Sequence, residues 1–330
     1  MPTATLACLT PSTIQGRQLR NRVAVAPMTR VSATADGFAT DRMRRYYRDY
    51  ARGGFGLVIT EGVYTDLEAA QGYDNQPGIA TDDQAEAWSA VAADIEIEGA
   101  LPIMQLMHAG ALSQASKRSG PTIAPSAIRP RGRMMPDYGA DGLFPLPHPM
   151  NRDDIRAVQL AFTHAAERAR RAGFRGVEIH GANGYLLDQF NTAYTNLRDD
   201  DYGGEPANRI RMTAETVAAI RSATPDDFIV GVRVSEAKVN DFEYRWPGGA
   251  AEATTIFRAL ADAGASYIHV AGEGRAFQHD DEAESFTALA RRITGLPVIA
   301  NGGLHDISLA ERVIRDGHAD FVALGRAALA

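Results

Sequence analysis

The chain has 330 residues, of which 45% are hydrophobic, so it can bury a large core as one big domain or two smaller ones. Its formal net charge of −7 argues against nucleic acid as a partner, because binding to a phosphate backbone needs a concentrated positive face. Cys8 is the only cysteine, which excludes an internal disulfide, a cysteine-based zinc site and a cysteine-ligated iron–sulfur cluster.

The N-terminal ten residues lack the basic start and long apolar stretch of a secretion signal. No segment of the sequence approaches the ~18 consecutive apolar residues of a membrane span. We therefore expect a soluble, cytoplasmic protein without a membrane partner. After this tail, residues 16–20 are expected to turn a small N-terminal hairpin.

A charged helical segment, a glycine or aspartate turn and a short apolar strand then follow one another repeatedly. The predicted strands are residues 23–28, 55–60, 101–107, 176–180, 228–235, 266–271, 296–300 and 320–324. Helical periodicity places Trp88, Val91 and Ile95 on one face of an intervening segment, and Thr81 with Gln84 has the form of a capping box. Apolar strands that alternate with amphipathic helices predict a parallel sheet covered by helices.

Eight such units favour closure into a (β/α)8 TIM barrel over an open, doubly wound α/β sheet. The open sheet would more often carry a G-x-G-x-x-G turn after its first strand, and the sequence has none. We predict a single barrel domain that spans residues 1–330. A long irregular loop, residues 108–150, follows the third strand, and we interpret it as a lid over the site, with plain disorder as the alternative.

The sequence ends a few residues after the eighth predicted strand, so the helix expected to cover that strand is missing. Either the chain is shortened, or another element covers the exposed side. We expect a neighbouring subunit to do so, which makes a homo-oligomer possible.

The active site of such a barrel lies where the strands end, so polar residues at those ends are the candidates. The glycine-rich turn at Gly302 and Gly303 exposes backbone N–H groups after the seventh strand. Gly325 begins a helical turn after the eighth strand, and Arg326 can clamp a phosphate. Together they predict a phosphorylated ligand, the alternative being that these glycines only turn the chain.

Six motifs, in chain order, lead to a family. They are Ala26-Pro27-Met28-Thr29-Arg30, Gln105-Leu106-Met107-His108-Ala109-Gly110, His180-Gly181-Ala182-Asn183-Gly184-Tyr185-Leu186, Asp201-Tyr202-Gly203-Gly204 with Asn208-Arg209, Gly231-Val232-Arg233, and Leu324-Gly325-Arg326. They closely resemble the Old Yellow Enzyme family of FMN-dependent oxidoreductases. The resemblance implies a non-covalent FMN in the barrel mouth, reduced by NADH or NADPH and reoxidised by an electron-poor alkene.

The resemblance also implies roles for individual residues. Thr29 would bond the flavin O4, Gln105 and Arg233 would hold the pyrimidine edge, and Gly62 would contact the ring through its backbone. Arg233 would also favour reduction by placing positive charge where the reduced flavin is negative. The remaining cofactor-binding candidates are Pro27 and Met28 after the first strand, His180, and the phosphate group Gly302, Gly303, Gly325 and Arg326.

His180 and Asn183 would grip a carbonyl or nitro oxygen and draw electron density from the conjugated double bond. Tyr185 would then protonate the α-carbon as a general acid. These three are the predicted catalytic residues. From the sequence pattern alone, the alternative that His180 and Asn183 satisfy each other in the core, with Tyr185 packed beside them, is equally open.

The expected activity is that of an ene-reductase working by a ping-pong cycle on a small-molecule alkene. One alternative is a flavin enzyme of the same scaffold that isomerises or oxidises its substrate. Another is a non-flavin phosphate-binding aldolase or isomerase, which the apparent lack of a lysine at any predicted strand end disfavours. Arg129, Arg131 and Arg133 can receive the extra phosphate of NADPH or form a solvated basic loop. Asp199–Asp201 and His279–Asp281 lack a trusted ligand spacing, so we predict no metal.

Overall fold

Eight parallel strands form a closed barrel in the computed structural model, which describes residues 6–114, 120–272 and 284–329. In chain order the barrel strands are Val23–Val25, Leu57–Ile59, Leu101–Met107, Gly176–Asn183, Ile229–Lys238, Tyr267–Ala271, Val298–Asn301 and Phe321–Leu324. Each strand pairs with the next along the chain, and the eighth pairs with the first through Val322 and Val23. The predicted (β/α)8 barrel is confirmed.

Helices cover the outside of this barrel between successive strands. They are α1 Asp41–Arg52, α2 Asp82–Ile97, α3 Arg152–Arg171, α4 Leu186–Asn191, α5 Pro206–Arg209, α6 Arg211–Ala223, α7 Gly249–Asp262, α8 Phe286–Thr294 and α9 Ile307–Arg315. The predicted face of α2 is buried at Trp88, Val91 and Ile95. Its capping box is present, with the Thr81 side chain accepting from the Gln84 backbone N–H. The helix therefore begins at the capping box that the sequence indicated.

A small hairpin closes the bottom of the barrel, where the strands begin. Its strands, Ser12–Ile14 and Arg17–Leu19, pair antiparallel around a turn at Gln15 and Gly16, a few residues earlier than predicted. Both turn residues have positive φ, 49° and 73°, which the glycine adopts without steric cost. Ile14 and Leu19 join the apolar cluster inside the barrel, so the hairpin keeps water out of that end.

The loop after the third strand has little regular structure, as predicted. Its described parts contain the 3-10 turns Gly110–Leu112 and Pro136–Tyr138 and a two-stranded parallel sheet, Ile123–Ala124 with His148–Pro149. The second 3-10 turn brings Tyr138 against Tyr73, with ring centroids 5.0 Å apart. The loop thus packs against the irregular segment that follows the second strand.

Two details concern the ends of elements. The fifth strand runs to Lys238, beyond the predicted limit at residue 235, because a register shift between Val234 and Lys238 lengthens it. The eighth strand is followed by a 3-10 helix, Arg326–Leu329. Among the described residues, no helix is both long enough and apolar enough to cross a membrane.

Candidate active site

A cavity of about 590 Å³ opens at the carboxyl ends of the barrel strands. Seven of the predicted cofactor-binding residues line it: Pro27, Met28, Arg233, Gly302, Gly303, Gly325 and Arg326. The other candidates, Thr29, Gly62, Gln105, His180, Asn183 and Tyr185, are not in its lining. They lie within four residues of the carboxyl ends of the first four strands.

The turns after the seventh and eighth strands form one end of the cavity. Gly302 and Gly303 have φ values of 135° and 67°, a backbone conformation that favours glycine. A Cβ added to Gly325 would have no neighbour closer than 3.8 Å, so its backbone borders open space. The exposed Arg326 side chain lies beside it. This end combines accessible backbone groups with a cation, a combination that suits an anion.

Arg233 supplies a second cation deeper in the cavity. Its side chain is buried, and one guanidinium nitrogen donates to Asn301 Oδ1 at 2.9 Å. The Nε atom is buried without a hydrogen-bond partner among the described residues. Burial lowers the pKa of Arg233, yet an arginine remains a cation in proteins. Arg233 therefore presents a charged, unsatisfied donor.

His180 stands next to Arg233, its register partner on the neighbouring strand. Burial, together with Arg233 and His269, lowers the pKa of His180 well below its ordinary value, so the imidazole is neutral. Its Nδ1 has no hydrogen-bond partner in the described part of the chain, so Nδ1 does not bond Asn183. The ring lies 5.1 Å from the Tyr185 ring, at an angle of 53°.

Asn183 ends the fourth strand in a strained conformation, with a φ of 63°. Its backbone is held on both sides: the N–H donates to Ser235 Oγ at 2.8 Å, and the carbonyl accepts from Val239 N at 3.1 Å. Gly184 N donates to Asp188 Oδ2 at 2.6 Å. Three hydrogen bonds to the backbone of Asn183 and Gly184 therefore fix the turn that carries Asn183 and Tyr185.

Tyr185 follows that turn and caps α4. Burial and the nearby Tyr138 raise the pKa of Tyr185, and Arg233 offsets only part of the effect. The phenol stays protonated at neutral pH and can donate a proton.

Two tyrosines that sequence reasoning missed lie near Thr29. Tyr73 OH donates to Thr29 Oγ1 at 3.3 Å, and Tyr138 packs against the Tyr73 ring and lies close to Thr29. A Cβ on Gly62 would lie 2.4 Å from Met107 Sδ, so a larger residue there would require the Met107 side chain to move. No sequence signal marked Tyr73 or Tyr138, because both lie in irregular segments that only the fold brings to Thr29.

Gln105 lies below the mouth and points to a third missed group. Its Nε2 donates to Glu178 Oε1 at 2.8 Å. Glu178 is completely buried and also bonds Tyr267 and His269. A carboxylate inside an apolar strand was a visible signal, since such a group needs partners in the core.

The expectation that no lysine ends a barrel strand was wrong, because the fifth strand ends in Lys238. Its ammonium is buried, however, and bonds Asp188 Oδ1 and Oδ2 at 2.7 and 2.8 Å and Ser235 O at 3.1 Å. All three of its hydrogens are engaged, so it is not a free amine for an aldolase-type reaction.

Comparison with known proteins identifies the family. The model of the NADH:flavin oxidoreductase / NADH oxidase family matches residues 8–330. The chain belongs to this family. It is an FMN-dependent NAD(P)H oxidoreductase of the Old Yellow Enzyme type, as the sequence motifs predicted.

Several relatives of this flavin oxidoreductase span similar lengths. The NADPH dehydrogenase of Clostridium acetobutylicum is 30% identical over 320 residues, covering 95% of this chain and 89% of the relative. The old yellow enzyme homologue from Zymomonas mobilis superposes with a TM-score of 0.86 at 26% identity, covering 97% and 88% of the two chains. Morphinone reductase in complex with tetrahydroNAD gives a TM-score of 0.83 at 31% identity, covering 98% and 87%. Other relatives are longer, and the chain spans 47% of the NADH oxidase of Thermoanaerobacter brockii.

The residues of the flavin oxidoreductase fit an FMN group. Buried polar atoms without a partner cost free energy unless a ligand satisfies them. Arg233 Nε and His180 Nδ1 are two such atoms among the described residues; Arg233 lines the cavity, and His180 is its register partner on the neighbouring strand. The glycine turns and Arg326 at the other end of the cavity suit a phosphate.

No group of three or more His, Cys, Asp or Glu side chains in the described ranges is placed to hold a metal ion. The segment His279–Asp281 lies outside those ranges. In the loop after the third strand, Arg131 bonds Asp241 at 2.6 Å and lies 4.2 Å from the centre of the Tyr194 ring. Arg133 pairs with Asp141 at 3.4 Å.

Proposed function

We propose that the protein is an ene-reductase that reduces activated C=C bonds of α,β-unsaturated carbonyl or nitro compounds by a ping-pong cycle. The observation that carries this proposal is the neutral, buried His180 with an unpartnered Nδ1, 5.1 Å from the Tyr185 ring and beside Arg233. FMN, when bound, supplies the hydride that it has received from NAD(P)H. We also propose that residues 1–330 form one FMN-binding domain, supported by the family match over residues 8–330.

His180 and Asn183 bind the substrate oxygen. A neutral imidazole keeps an N–H to donate, and the Asn183 carboxamide adds a second donor from a backbone position that Ser235 and Val239 clamp. Donors that are fixed before the reaction stabilise negative charge as it develops on that oxygen, because they need no reorganisation. This polarises the double bond for hydride addition at its β-carbon.

Tyr185 delivers the proton to the α-carbon. Its raised pKa keeps the proton on the phenol until carbanion character develops in the substrate. Tyr138, which raises that pKa, comes from the loop after the third strand. The loop therefore brings a phenol near the proton donor, which supports its interpretation as a lid over the site.

Groups that line the cavity, together with groups at the neighbouring strand ends, would hold the cofactor. Gly302, Gly303, Gly325 and Arg326 would bind the phosphate, and Gln105 and Arg233 would bind the pyrimidine edge. Thr29 would donate a hydrogen bond to the ring oxygen O4, and Gly62 would contact the ring through its backbone. Pro27 and Met28 line the cavity.

Anaerobic spectroscopy tests the proposal directly. The purified holoenzyme should lose its visible flavin absorption when NADPH or NADH is added, and should regain it when cyclohexenone is added. The reduced carbonyl compound should form in the same amount as NAD(P)H is consumed. Loss of colour with NAD(P)H but no recovery with a series of activated alkenes would reject the ene-reductase while leaving the flavin oxidoreductase intact.

A further inference from the structure

Glu178 is a buried carboxylate that the proposed mechanism does not use. It is the third residue of the fourth strand, two residues before His180, so both side chains lie on the same face of the strand. Its oxygens accept from Gln105 Nε2 at 2.8 Å, Tyr267 OH at 2.9 Å and His269 Nδ1 at 2.8 Å. Three donors from the third and sixth strands thus converge on one carboxylate.

The backbone is shaped to admit this cluster. A Cβ added to Gly231, the register partner of Glu178 on the fifth strand, would lie 2.0 Å from Cζ of Tyr267. Only glycine at this position lets the Tyr267 ring cross the barrel and reach the carboxylate. The same Gly231-Val232-Arg233 segment carries Arg233, one of the two arginines that line the cavity.

Glu178 is ionised and His269 is neutral. Burial by itself raises the pKa of Glu178, but His269, Arg233 and the bond from Gln105 outweigh it and lower the pKa below its ordinary value. Burial lowers the pKa of His269 more than Glu178 raises it. His269 therefore donates Nδ1–H to the carboxylate, and the cluster carries one negative charge that acts on Arg233.

The bond between Gln105 and Glu178 also fixes which way the Gln105 carboxamide faces. Because Nε2 is the atom committed to the carboxylate, Oε1 is the atom left to accept a hydrogen bond. The pyrimidine edge of a flavin offers an imide N–H between two carbonyl groups. An acceptor at Gln105 and a cation at Arg233 match that pattern.

We propose that Glu178 is a positioning residue that orients Gln105 toward the flavin and, by offsetting the positive charge of Arg233, lowers the reduction potential of bound FMN. The inference rests on the placement of the flavin edge at Gln105 and Arg233 proposed above. Reduced flavin carries negative charge at that edge, so a nearby carboxylate disfavours reduction and an isolated arginine favours it. Together, Glu178 and Arg233 would hold the reduction potential of FMN in a range from which the reduced cofactor can pass hydride to the substrate.

The test is the midpoint potential of the holoenzyme, measured by anaerobic reductive titration against a reference dye. Glu178→Gln should raise the ratio of reduced to oxidised cofactor at a given potential by at least tenfold, about 30 mV for a two-electron couple. Glu178→Asp keeps the charge and should restore a potential close to that of the wild type. A purely structural role would give both variants the same potential.

Glu252→Gln is the matched control, because Glu252 is also a buried carboxylate paired with an arginine, Arg209, and does not line the cavity. It should leave the potential unchanged. If Glu178→Gln does not fold, Tyr267→Phe supplies the test: it removes one donor from the ionised carboxylate and should lower the potential.

Two failures can be told apart. An unchanged potential in FMN-loaded Glu178→Gln, with Arg233→Gln still weakening FMN binding, overturns the role of Glu178 but keeps the flavin at Arg233. If Arg233→Gln changes neither the FMN dissociation constant nor the potential, the placement of the flavin edge is wrong, and the inference falls with it.

Discussion

Burial decides the protonation states of the side chains at the barrel mouth. Water stabilises charged forms, so its exclusion lowers the pKa of His180 and raises that of Tyr185. Both shifts keep these side chains neutral, as a hydrogen-bond donor and as a proton donor. We therefore expect neither group to titrate in the activity profile near neutral pH.

Tyr185→Phe should separate proton donation from the other steps. Loss of the phenolic O–H should reduce the rate of alkene reduction by about 10²- to 10⁴-fold, the usual contribution of a general acid. Flavin reduction by NAD(P)H should keep its rate, because the phenol has no part in it. Stopped-flow absorption measures both half-reactions separately.

Tyr64→Phe is the control, because Tyr64 is also buried but hydrogen-bonds Gln84 instead of facing the mouth. Both half-reactions should proceed normally in it. An alkene-reduction rate that survives in Tyr185→Phe would assign the proton to water or to another side chain.

Glu61 should make stability depend on pH. Burial raises its pKa from 4.5 to about 7, even though the carboxylate accepts from Arg30 N and Tyr47 OH. Between those values the folded state keeps a proton that the unfolded chain has lost, so the free energy of unfolding falls as pH rises through that window. The shift corresponds to about 3 kcal/mol.

Glu61→Gln has no carboxyl group to titrate, so its free energy of unfolding should not fall with pH in this way. Relative to the wild type, it should rise by about 3 kcal/mol between pH 4.5 and pH 7. Urea denaturation at several pH values measures the difference, and equal m-values for the two proteins serve as the control. A difference that does not change with pH would show that Glu61 titrates near its ordinary value.

A buried ion pair joins two elements beneath the catalytic turn. Asp188 on α4 and Lys238 at the end of the fifth strand are 2.7 Å apart, with side chains 0% and 1% exposed. Asp188 also accepts from Gly184 N, the residue between Asn183 and Tyr185. The pair thus connects helix, strand and turn, and its loss should disturb all three.

Lys238→Met should cost about 3–5 kcal/mol, because it leaves the Asp188 carboxylate buried without its partner. Adding Asp188→Asn should recover most of that loss, since the carboxamide is neutral and still accepts from Gly184 N. Chemical denaturation of the two single variants and the double variant measures the coupling. If the two losses simply add, the ion pair is not what holds the turn.

The order of strands and helices was predictable because short sequence segments specify it. Glycine or aspartate joints before short apolar runs predicted all eight barrel strands, and the capping box of Thr81 with Gln84 predicted the start of α2. The end of the fifth strand was not predictable, since it depends on pairing of Lys238 with Asn183 across a register shift. Helix caps and turns are specified by residues close together in the sequence, whereas pairing between strands depends on residues far apart in the sequence.

The same distinction applies to the site across the whole molecule. Residues in motifs at strand ends, such as Arg233 and Gly302, were found from sequence and line one cavity. Tyr138 and the partners of Glu178 come from distant segments that only barrel closure brings together. The sequence pattern therefore predicted the residues at the strand ends, while the residues that support them could be identified only from the structure.

FMN should stabilise the whole barrel, because it binds the folded chain and joins the ends of five strands around one cavity. At a free concentration one hundred times its dissociation constant, it should add about 2.7 kcal/mol to the free energy of unfolding.

Arg326→Ala removes a charged hydrogen-bond donor, so it should weaken FMN binding by at least about tenfold. Thermal melts with and without FMN should then show an unchanged apo midpoint and a smaller increase on adding FMN. Arg258→Ala, at an exposed position on α7, should keep the full increase. An equal increase in all three proteins would mean that Arg326 does not contact the phosphate.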